Sequence, residues 1–573
     1  MLLLVHTSET LYMHVLRRSP LRSAETRTMA FMDIGTHSIR LLVVRIHPDY
    51  SSTVLTQLKQ MARLGEGAFT HQQLQPDAID RAVFVARQFA QVARANGAET
   101  IITVATAATR EAANQGALVQ QLQQEADLDV RVVSGLEEAR LIYLGVASGV
   151  HLGEKQAFLM DIGGGSTEVI IGTQHQHGYL GSLKLGAIRL TAQFLAAKCG
   201  PVAPHTYEAM RQYVRHHAVR TLRELETYRI DLAIGSSGTI ESLADMAARH
   251  FLKRPRQRDD VLTYASLKQV IAMLSALPLE GRRKVLGLNP ERADIIIAGA
   301  AILDVFMQGL GLKEIRLSER GVREGLLVDY LLKHGASCLL QEMSVRARSV
   351  WQLAHTCQCD ETHARTAARL ALALFDSARD AGLHHGGAWE RELLEYTALL
   401  HHIGAFLTHT DYQAHTYYLI KHANLLGFDQ TEVAIMATTA LYHRKALPRK
   451  KYPEFAALDQ RAQQIVRILS GLLRLAENLD RGHAGLIRDV RLCAVDTQHM
   501  VLYINAAHDC QVEVWGVQKQ LAVFEKVFGR QLVIRVRQQT SAHEASARSG
   551  RLVQPDGVVA AASRVISPQP ASE

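Results

Sequence analysis

The sequence predicts an α/β protein with two lobes, followed by an all-helical domain and a small α+β domain. Three observations support this fold class. Segments rich in Ile and Val alternate with helical spacing as far as Leu332, apolar residues then fall on single helix faces over 345–485, and short strand-like segments return over 489–537. A chain of 573 residues is long enough for three or four domains of about 150 residues each.

The composition is that of a folded protein, and it excludes several classes. Hydrophobic residues make up 47% and charged residues 21% of the chain, which rules out wholesale disorder. No apolar stretch reaches the roughly 18 residues of a membrane-spanning helix. The net charge of +8 permits a polyanionic partner without requiring one. The 6 scattered Cys residues form no disulfide framework, so a reducing cytoplasm is the expected location.

Both ends of the chain are predicted to lie outside the folded domains. Residues 1–28 begin with an apolar run, Leu2–Val5, and carry Arg17–Arg18 only later, which reverses the order of a signal peptide. We therefore expect an unstructured leader. Residues 538–573 are rich in Ser, Ala, Pro and Gly, a composition typical of a disordered tail.

The α/β region contains the same local pattern twice. Strand-like segments at 30–34 and 39–46 flank a tight turn at Gly35–Ser38, and a strand through Met160 is followed by the glycine turn 163–165 and a further strand. Such a repeat indicates an internal duplication. The two lobes are predicted at residues 29–141 and 142–332.

The rest of the chain divides into a helical part and a mixed part. Apolar residues repeat at intervals of three and four between Ile465 and Leu479, as on one face of a long helix. This spacing predicts an all-helical domain over 345–485. The mixed part is predicted to have one helix ending near Gly529 and four strands: Arg491–Val495, Met500–Ile504, Val512–Trp515 and Leu532–Val536.

The glycine turn at 163–165 and the acids beside it have the chemistry of a phosphate and metal site. Asp161 ends a strand, three glycines follow it, and Glu168 begins the returning strand. Glycines have no Cβ, so backbone N–H groups can approach a phosphate closely. Two carboxylates beside such a turn suit a hydrated Mg²⁺. The alternative is a tight hairpin with surface acids, which a single glycine-rich turn does not exclude.

Two other segments repeat this design at predicted strand ends. Asp33–Arg40 has the same order of strand, Asp-x-Gly and turn, and Gly235–Thr239 is a phosphate-sized loop after the predicted strand Ile230–Ile234. Because ligand sites form where strand ends of an α/β fold meet, we expect the three loops to converge on one cleft.

These three loops resemble the phosphate loops of the actin-like (ribonuclease-H-like) superfold, which includes Hsp70 and sugar kinases. Three further segments narrow the resemblance, because Ala105–Ala112, Ser134–Arg140 and Leu317–Gly325 are similar to segments of the exopolyphosphatase and guanosine pentaphosphate phosphatase family. The resemblance runs from about Met29 to about Ala484. It implies two actin-like lobes and a helical HD-like domain.

The resemblance assigns roles to individual residues. Glu138 matches the catalytic Glu, the general base for the attacking water, and a carboxylate suits this role when burial lifts its pKa toward neutrality. The alternative for Glu138 is an acid placed at a helix N-terminus. Asp33, Asp161 and Glu168 match acids associated with Mg²⁺. The implied phosphate-binding residues are Gly35, Ser38, Arg40, Arg110, Gly163, Gly164, Gly165, Ser166, Gly235, Ser236, Gly238 and Thr239.

The helical domain resembles an HD-type phosphohydrolase domain, which pairs His, His-Asp and Asp around a metal. His363 and His401 match, but His402 stands where the Asp of the pair is expected, and Glu477 is the later acid, with Asp480 beyond it. Two alternatives follow: a metal site that uses the histidines, or a degenerate domain whose histidines pack and hydrogen-bond.

Basic residues cluster after His443 and form a candidate polyanion track. Five of them fall within positions 444–451, a density that suits a long polyanion whose binding weakens as salt rises. The alternative is a solvated basic loop, and no aromatic residues mark a nucleic-acid stacking platform. The candidate track residues are Lys184, Arg189, His415, Arg444, Lys445, Arg449, Lys450 and Lys451.

The leading functional prediction is a Mg²⁺-dependent exopolyphosphatase that releases terminal orthophosphate from inorganic polyphosphate. The nearest alternative is a pppGpp 5′-phosphohydrolase of the same family. An ATP-driven kinase or chaperone and a non-catalytic polyphosphate or alarmone sensor are the other classes, and the retained acids argue against a sensor. The resemblance also implies a homodimer, whereas no membrane and no specific nucleic acid are expected as partners.

Overall fold

The computed structural model describes residues 26–48, 50–195, 199–336, 344–423, 425–445 and 447–538. Most of the predicted leader, residues 337–343 and most of the predicted tail lie outside these residues. The chain divides into two compact units between Ser344 and Val345. In the described part of the chain, no helix is long and apolar enough to cross a membrane. The five cysteines described there are unpaired.

The first unit contains two mixed β-sheets. The first sheet has the order β3-β2-β1-β4-β5 and consists of β1 (Arg27–Ile34), β2 (Ser38–Ile46), β3 (Ser52–Met61), β4 (Thr100–Ala105) and β5 (Val130–Val132). The second sheet has the order β10-β11-β9-β6-β7-β8 and consists of β6 (Ala157–Ile162), β7 (Thr167–Gly172), β8 (His177–Leu183), β9 (Leu232–Ser236), β10 (Leu262–Thr263) and β11 (Glu314–Leu317).

The two sheets confirm the predicted duplication. In the first sheet, β1 and β2 form an antiparallel hairpin, β3 pairs antiparallel with β2, and β4 pairs in parallel with β1. In the second sheet, β6 and β7 form the hairpin, β8 pairs antiparallel with β7, and β9 pairs in parallel with β6. Because the same topology places β1 and β6 centrally, the turns that follow them occupy equivalent positions in the two lobes.

Helices cover both sheets of the first unit. They are α1 (Ala68–His71), α2 (Pro76–Ala95), α3 (Ala107–Glu111), α4 (Gln115–Ala126), α5 (Gly135–Ala147), α6 (Ala187–Phe194), α7 (Pro204–Leu225), α8 (Ser237–Ala247), α9 (Tyr264–Ala276), α10 (Leu279–Arg282), α11 (Ile296–Gly309) and α12 (Val322–Leu331). Single turns of other helix types occur at Ala248–Leu252, Pro290–Arg292 and Leu332–Ala336.

Helices α5 and α12 share a core with one face of each sheet. That core joins Phe31 of β1 and Leu159 of β6 to Leu141 and Leu326 of the two helices. A Cβ at Gly325 would overlap the carbonyl of Leu141, so the helices cross at a distance that only glycine permits. This close crossing fixes the N-terminal ends of both helices between the lobes.

Several predicted boundaries shift in the structure. The boundary between 141 and 142 falls inside α5, so the helix that carries Glu138 is shared by both lobes. The first strand begins at Arg27 rather than after residue 28, and β9 runs from Leu232 to Ser236, two residues later than predicted.

The second unit begins with a helical part and ends with a three-stranded sheet. Its helices are α13 (Val345–Thr356), α14 (Glu361–Asp380), α15 (Ala388–Leu400), α16 (Tyr412–His422), α17 (Gln430–Tyr442), α18 (Pro453–Ala456) and α19 (Gln460–Leu479), with a single turn at Ile403–Phe406. The sheet has the order β12 (Ile487–Ala494), β13 (His499–Ala506) and β14 (Gln531–Gln538). Helices α20 (Gln511–Gln518) and α21 (Leu521–Phe528) connect β13 to β14.

The strand predicted at Val512–Trp515 is wrong, because these residues belong to α20. Val514 and Val517 are buried three positions apart, whereas Val512 and Trp515 are exposed. That spacing is helical, and the short apolar run alone does not distinguish a strand from a helix.

Candidate functional site

A narrow cleft of the first unit brings together the loops that follow the central strands. It is lined by the β1–β2 turn, the β6–β7 turn, the start of α8, the first turn of α5 and Gly321–Val322 before and in α12. The predicted site residues that line it are Glu138, Asp33, Asp161, Gly35, Ser38, Arg40, Gly163, Gly164, Gly165, Ser166 and Gly238. The three predicted loops therefore converge on one cleft.

The turn after β1 is closed by its own backbone. Gly35 N donates to Ser38 O over 3.1 Å, and a Cβ on Gly35 would lie 2.9 Å from that oxygen. Thr36 Oγ1 accepts a hydrogen bond from Ala108 N at 3.2 Å. These contacts fix the position of Asp33, whose carboxyl group is buried at the end of the strand.

The glycine turn after β6 is held in place by hydrogen bonds from α6. The carbonyls of Gly163 and Gly164 accept from Ala187 N and Ile188 N at 3.0 and 2.9 Å. Arg189 Nε donates to Gly165 O at 2.9 Å. Because these carbonyls are engaged by α6, the turn keeps a fixed backbone conformation, as a preorganised phosphate loop requires.

Arg189 is not an open polyanion contact, contrary to the prediction. Besides Gly165, its guanidinium donates to Glu111 Oε1 at 2.8 Å and stacks over the ring of Phe69 at 4.1 Å. It therefore anchors the glycine turn. Lys184, which was predicted beside it, is 76% exposed and lies 3.4 Å from the other oxygen of Glu111.

The third predicted loop is a sharp junction between β9 and α8. Ser237 has a φ of 85°, a left-handed conformation that is costly for a residue with a side chain. Ser237 and Gly238 line the cleft, and the N-terminus of the helix that begins there favours an anion. Thr239 donates to Ile162 O at 3.4 Å, and Gly235 lies within β9. Of the predicted loop residues, Gly235, Ser236 and Thr239 do not line the cleft.

Glu138 lies in the first turn of α5, held by a local cap and a nearby cation. Ser134 Oγ accepts from Glu137 N at 3.1 Å and begins the helix. Arg110 Nη1 donates to Glu138 Oε2 at 3.0 Å and to Val133 O at 2.8 Å. Burial raises the pKa of Glu138 to about 7, with Asp33 and Asp161 adding to the rise and Arg110 opposing it.

Further buried carboxylates surround the same cleft. Burial raises the pKa of Asp33 to about 6, and Asp161 contributes to that rise. The pKa of Asp161 is also raised, mainly by burial, although Ser236 Oγ hydrogen-bonds its carboxylate. Burial and Glu138 raise the pKa of Glu168 well above its usual value.

This concentration of buried acids suits a divalent cation, and Asp33 Oδ1 is buried without a hydrogen-bond partner. Glu168 is set back from the cleft and accepts from Ser182 Oγ at 2.8 Å. Across the described ranges, no three His, Cys, Asp or Glu side chains are grouped closely enough to hold a metal ion by themselves. The three predicted acids thus do not form a complete ligand set. Mg²⁺ is commonly held by one or two carboxylates together with water and substrate phosphates.

Three cleft residues have polar atoms that are buried without partners, and sequence reasoning assigned no role to two of them, His37 and Arg292. These atoms are both ring nitrogens of His37, Oγ of Ser237 and Nε of Arg292. Burial and the nearby Arg292 lower the pKa of His37 to about 3, so its imidazole is neutral. Unpaired buried polar groups are rare in folded proteins, and they point to a polar ligand at this position.

The predicted track residues of the second unit lie at or near its surface. Arg444, Lys445, Arg449, Lys450 and Lys451 are all exposed, and His415 is half-buried. Lys445 pairs with Asp411, and Arg444 lies over the ring of Tyr412 at 4.8 Å.

The histidines of the helical part pack and hydrogen-bond. His363 Nδ1 bonds Asp480 Oδ2 at 2.8 Å, and its ring stacks on that of His483. His401 and His443 each donate from Nδ1 to a backbone carbonyl of the preceding turn. Nε2 of His363 and of His401 is buried without a hydrogen-bond partner, so these contacts leave both alternatives for the histidines open.

Comparisons with known proteins agree with this fold. A family model described as the Ppx/GppA phosphatase family matches residues 42–334, and one described as Ppx/GppA phosphatase, domain III, matches residues 345–512. The chain is 30% identical over 483 residues to a guanosine-5′-triphosphate,3′-diphosphate pyrophosphatase of Vibrio vulnificus (strain YJ016), which covers 83% of this chain and 92% of that protein.

Two solved structures are also similar to part of the chain. A crystal structure of an exopolyphosphatase from Cytophaga hutchinsonii ATCC 33406 is 26% identical with a TM-score of 0.50, covering 56% of this chain and 99% of that one. A Ppx/GppA family member from Aquifex aeolicus is 27% identical with a TM-score of 0.46, covering 54% of this chain and 99% of that one.

Two actin-like lobes form a cleft lined by a buried carboxylate and phosphate-sized turns, and the proteins that the chain resembles are phosphoanhydride hydrolases. The matches cover both units, and the first alone extends over half of the chain. The chain belongs to the Ppx/GppA phosphatase family.

Proposed function

We propose that the enzyme releases terminal orthophosphate from inorganic polyphosphate, with Glu138 as the base for the attacking water. The observation that carries this proposal is the position of Glu138, which is only 7% exposed and lines the same cleft as the three loops. A carboxylate with a pKa of about 7 is partly ionised at neutral pH and can accept a proton as the water attacks.

The residues of the cleft have different roles in phosphoryl transfer. Arg110 orients Glu138 so that one carboxylate oxygen faces the water, whose proton it accepts. The glycine turn 163–165 and Ser237 at the start of α8 hold the terminal phosphoryl group. Asp33 and Asp161 would hold Mg²⁺, which when bound neutralises charge on the phosphates. The leaving group is the shortened polyphosphate, and no covalent intermediate with the enzyme is needed.

A second candidate is hydrolysis of the 5′-terminal phosphate of pppGpp. The relative from Vibrio vulnificus is named as a pyrophosphatase of guanosine-5′-triphosphate,3′-diphosphate, and a larger cavity adjoins the cleft in this structure. The test is phosphate release from long-chain polyphosphate and from pppGpp, measured side by side with Mg²⁺. Release from polyphosphate supports the first proposal, and release from pppGpp alone replaces it with the second. No release from either substrate contradicts both and favours a sensor.

The pH dependence of kcat/KM is expected to report the ionisation of Glu138. The base must be ionised, so kcat/KM should fall about tenfold per pH unit below about 7, the pKa to which burial raises Glu138. Arg110 lowers this pKa, so Arg110→Gln should move the acid limb to higher pH and lose more activity at pH 7 than at pH 9. Arg110→Lys keeps the charge and is the control. An acid limb that does not move in Arg110→Gln contradicts the assignment.

The exposed basic run is proposed to bind long polyphosphate by charge. Neutralising Lys450 and Lys451 to Gln should raise KM for long-chain polyphosphate several-fold. It should also reduce the salt dependence of KM, because each lost phosphate contact lowers the slope of log K against log salt concentration by roughly 0.7–0.9. Arg220→Gln with Arg223→Gln on exposed positions of α7 is the control. Equal effects of the two variants would show that only net charge matters.

A further inference from the structure

Three histidines lie together inside the helical part of the second unit. His363 belongs to α14, His401 follows the last residue of α15, and His402 comes next in the chain. Their ring centroids are 5.2 Å apart for His363 and His401, 5.7 Å for His363 and His402, and 5.9 Å for His401 and His402. His363 and His401 are buried, and His402 is half-buried. The hydrolysis proposed above uses none of these rings.

Two of the three rings are oriented by hydrogen bonds from Nδ1. His363 Nδ1 donates to Asp480 Oδ2 at 2.8 Å, and His401 Nδ1 donates to the backbone carbonyl of Ala398 at 2.6 Å. A neutral imidazole with its proton on Nδ1 carries a lone pair on Nε2. In both rings Nε2 is buried without a hydrogen-bond partner. Metal-binding histidines are oriented in this way, by a carboxylate or a carbonyl on the other ring nitrogen.

The spacing of the rings is near that of three imidazoles on one metal ion. Metal–nitrogen distances of about 2.0–2.1 Å in a tetrahedral site place the ring centroids roughly 5 Å apart, so the observed spacings exceed this value by less than about 1 Å. As the described side chains stand, no three are close enough to hold an ion, so one ring must turn. His402 is free to do so, because it is half-buried and makes no hydrogen bond among the described residues.

The surroundings of the three rings favour a transition metal ion over Mg²⁺ or water. The ring of His402 packs against that of Tyr412 at 4.5 Å, and Tyr412 Oη donates to Glu477 Oε1 at 2.9 Å. A water molecule can donate to both buried lone pairs, but the negative charge of Glu477 favours a cation there. Imidazole nitrogens suit Zn²⁺ and its neighbours, whereas Mg²⁺ prefers oxygen ligands.

We propose that His363, His401 and His402 bind one divalent transition metal ion of the Zn²⁺ class, with the fourth position open to water or to Glu477. The ion would join α14 to the end of α15. Through Asp480, which orients His363, it would also hold the end of α19. This site is independent of the proposed function, because its residues belong to the second unit and the catalytic cleft belongs to the first.

The test is metal binding by the full chain after removal of metal with a chelator. Calorimetry with Zn²⁺ in excess Mg²⁺ should show one tight site per chain, and Co²⁺ should give the visible absorption of a tetrahedral complex. Asp480→Asn should weaken Zn²⁺ binding roughly 10- to 100-fold, the usual effect of losing the group that orients a ligand, and His402→Ala should weaken it more. His499→Gln is the matched control, because His499 pairs with Asp496 at 2.9 Å on the surface.

Three outcomes would overturn the proposal. The first is no tight Zn²⁺ site in the wild type, which would leave water as the partner of the buried nitrogens. The second is equal Zn²⁺ affinity in His402→Ala and His499→Gln, which would mean binding to surface histidines. The third is loss of Zn²⁺ binding in Asp161→Asn, which would place the ion in the catalytic cleft. X-ray absorption at the zinc edge of the wild type needs no variant and should show three imidazole ligands.

Discussion

Glu138→Gln is expected to lower kcat for phosphate release by roughly 10²- to 10⁴-fold, the usual contribution of a positioned general base. Gln has the same shape and keeps a carbonyl oxygen for the hydrogen bond from Arg110 Nη1, but it cannot accept the proton of the attacking water. Substrate affinity should be retained or increased, because the variant removes a negative charge from a cleft that binds phosphates. Steady-state kinetics and equilibrium binding on the same preparation measure both effects.

The neighbouring residue supplies the control for this variant. Glu137 lies on the same helical turn but bonds Arg140 at 2.8 Å and is not part of the cleft lining. Glu137→Gln should therefore leave kcat within a few-fold of the wild type. If Glu138→Gln keeps more than a tenth of wild-type kcat, Glu138 does not act as the base. If it binds no substrate, its role is in binding rather than in catalysis.

Asp161→Asn is expected to lower kcat/KM by roughly 10²- to 10³-fold, because a metal contributes several kcal/mol to transition-state stabilisation and each factor of ten corresponds to about 1.4 kcal/mol. Asp161 ends β6 beside the glycine turn and lines the cleft. Asn keeps the size of the side chain and removes the charge that would hold Mg²⁺. The concentration of Mg²⁺ that gives half-maximal activity should rise in parallel.

Ser236 hydrogen-bonds the carboxylate of Asp161, so a variant at Ser236 is a control close to the same site. Ser236→Ala removes this bond and keeps the carboxylate, so its cost should be about 1 kcal/mol, less than tenfold in kcat/KM. A thermal-shift titration with Mg²⁺ and orthophosphate gives a readout without turnover, in which the wild type and Ser236→Ala respond and Asp161→Asn does not. An unchanged Mg²⁺ response in Asp161→Asn contradicts the assignment.

The central strands of both sheets were predictable because their signals are local. Ile- and Val-rich runs end in glycine turns, and this pattern fixed β1, β2, β6 and β7 within a few residues. The outer strands β3 and β8 were not predicted, since polar and half-exposed residues fill them. They become strands through pairing with β2 and β7, a tertiary effect that propensity does not record.

The candidate site shows the same division between local and tertiary information. The glycine turns and the acids beside them were apparent from their spacing, whereas Arg292 reaches the cleft from a turn far along the chain. His37 lies inside the Asp33–Arg40 loop that the sequence did indicate, but the burial of its imidazole depends on tertiary packing. Arg189 was misjudged because its bonds to Gly165 and Glu111 depend on the packing of α6, which no local pattern reveals.

The most direct test of the central claim is a single turnover in water enriched in oxygen-18, with long-chain polyphosphate and with pppGpp. Attack of water on the terminal phosphorus, assisted by Glu138, predicts one heavy oxygen in each released orthophosphate and none in the shortened product. Heavy oxygen in the shortened product, or phosphate transferred to an acceptor without release, would contradict terminal hydrolysis in this cleft.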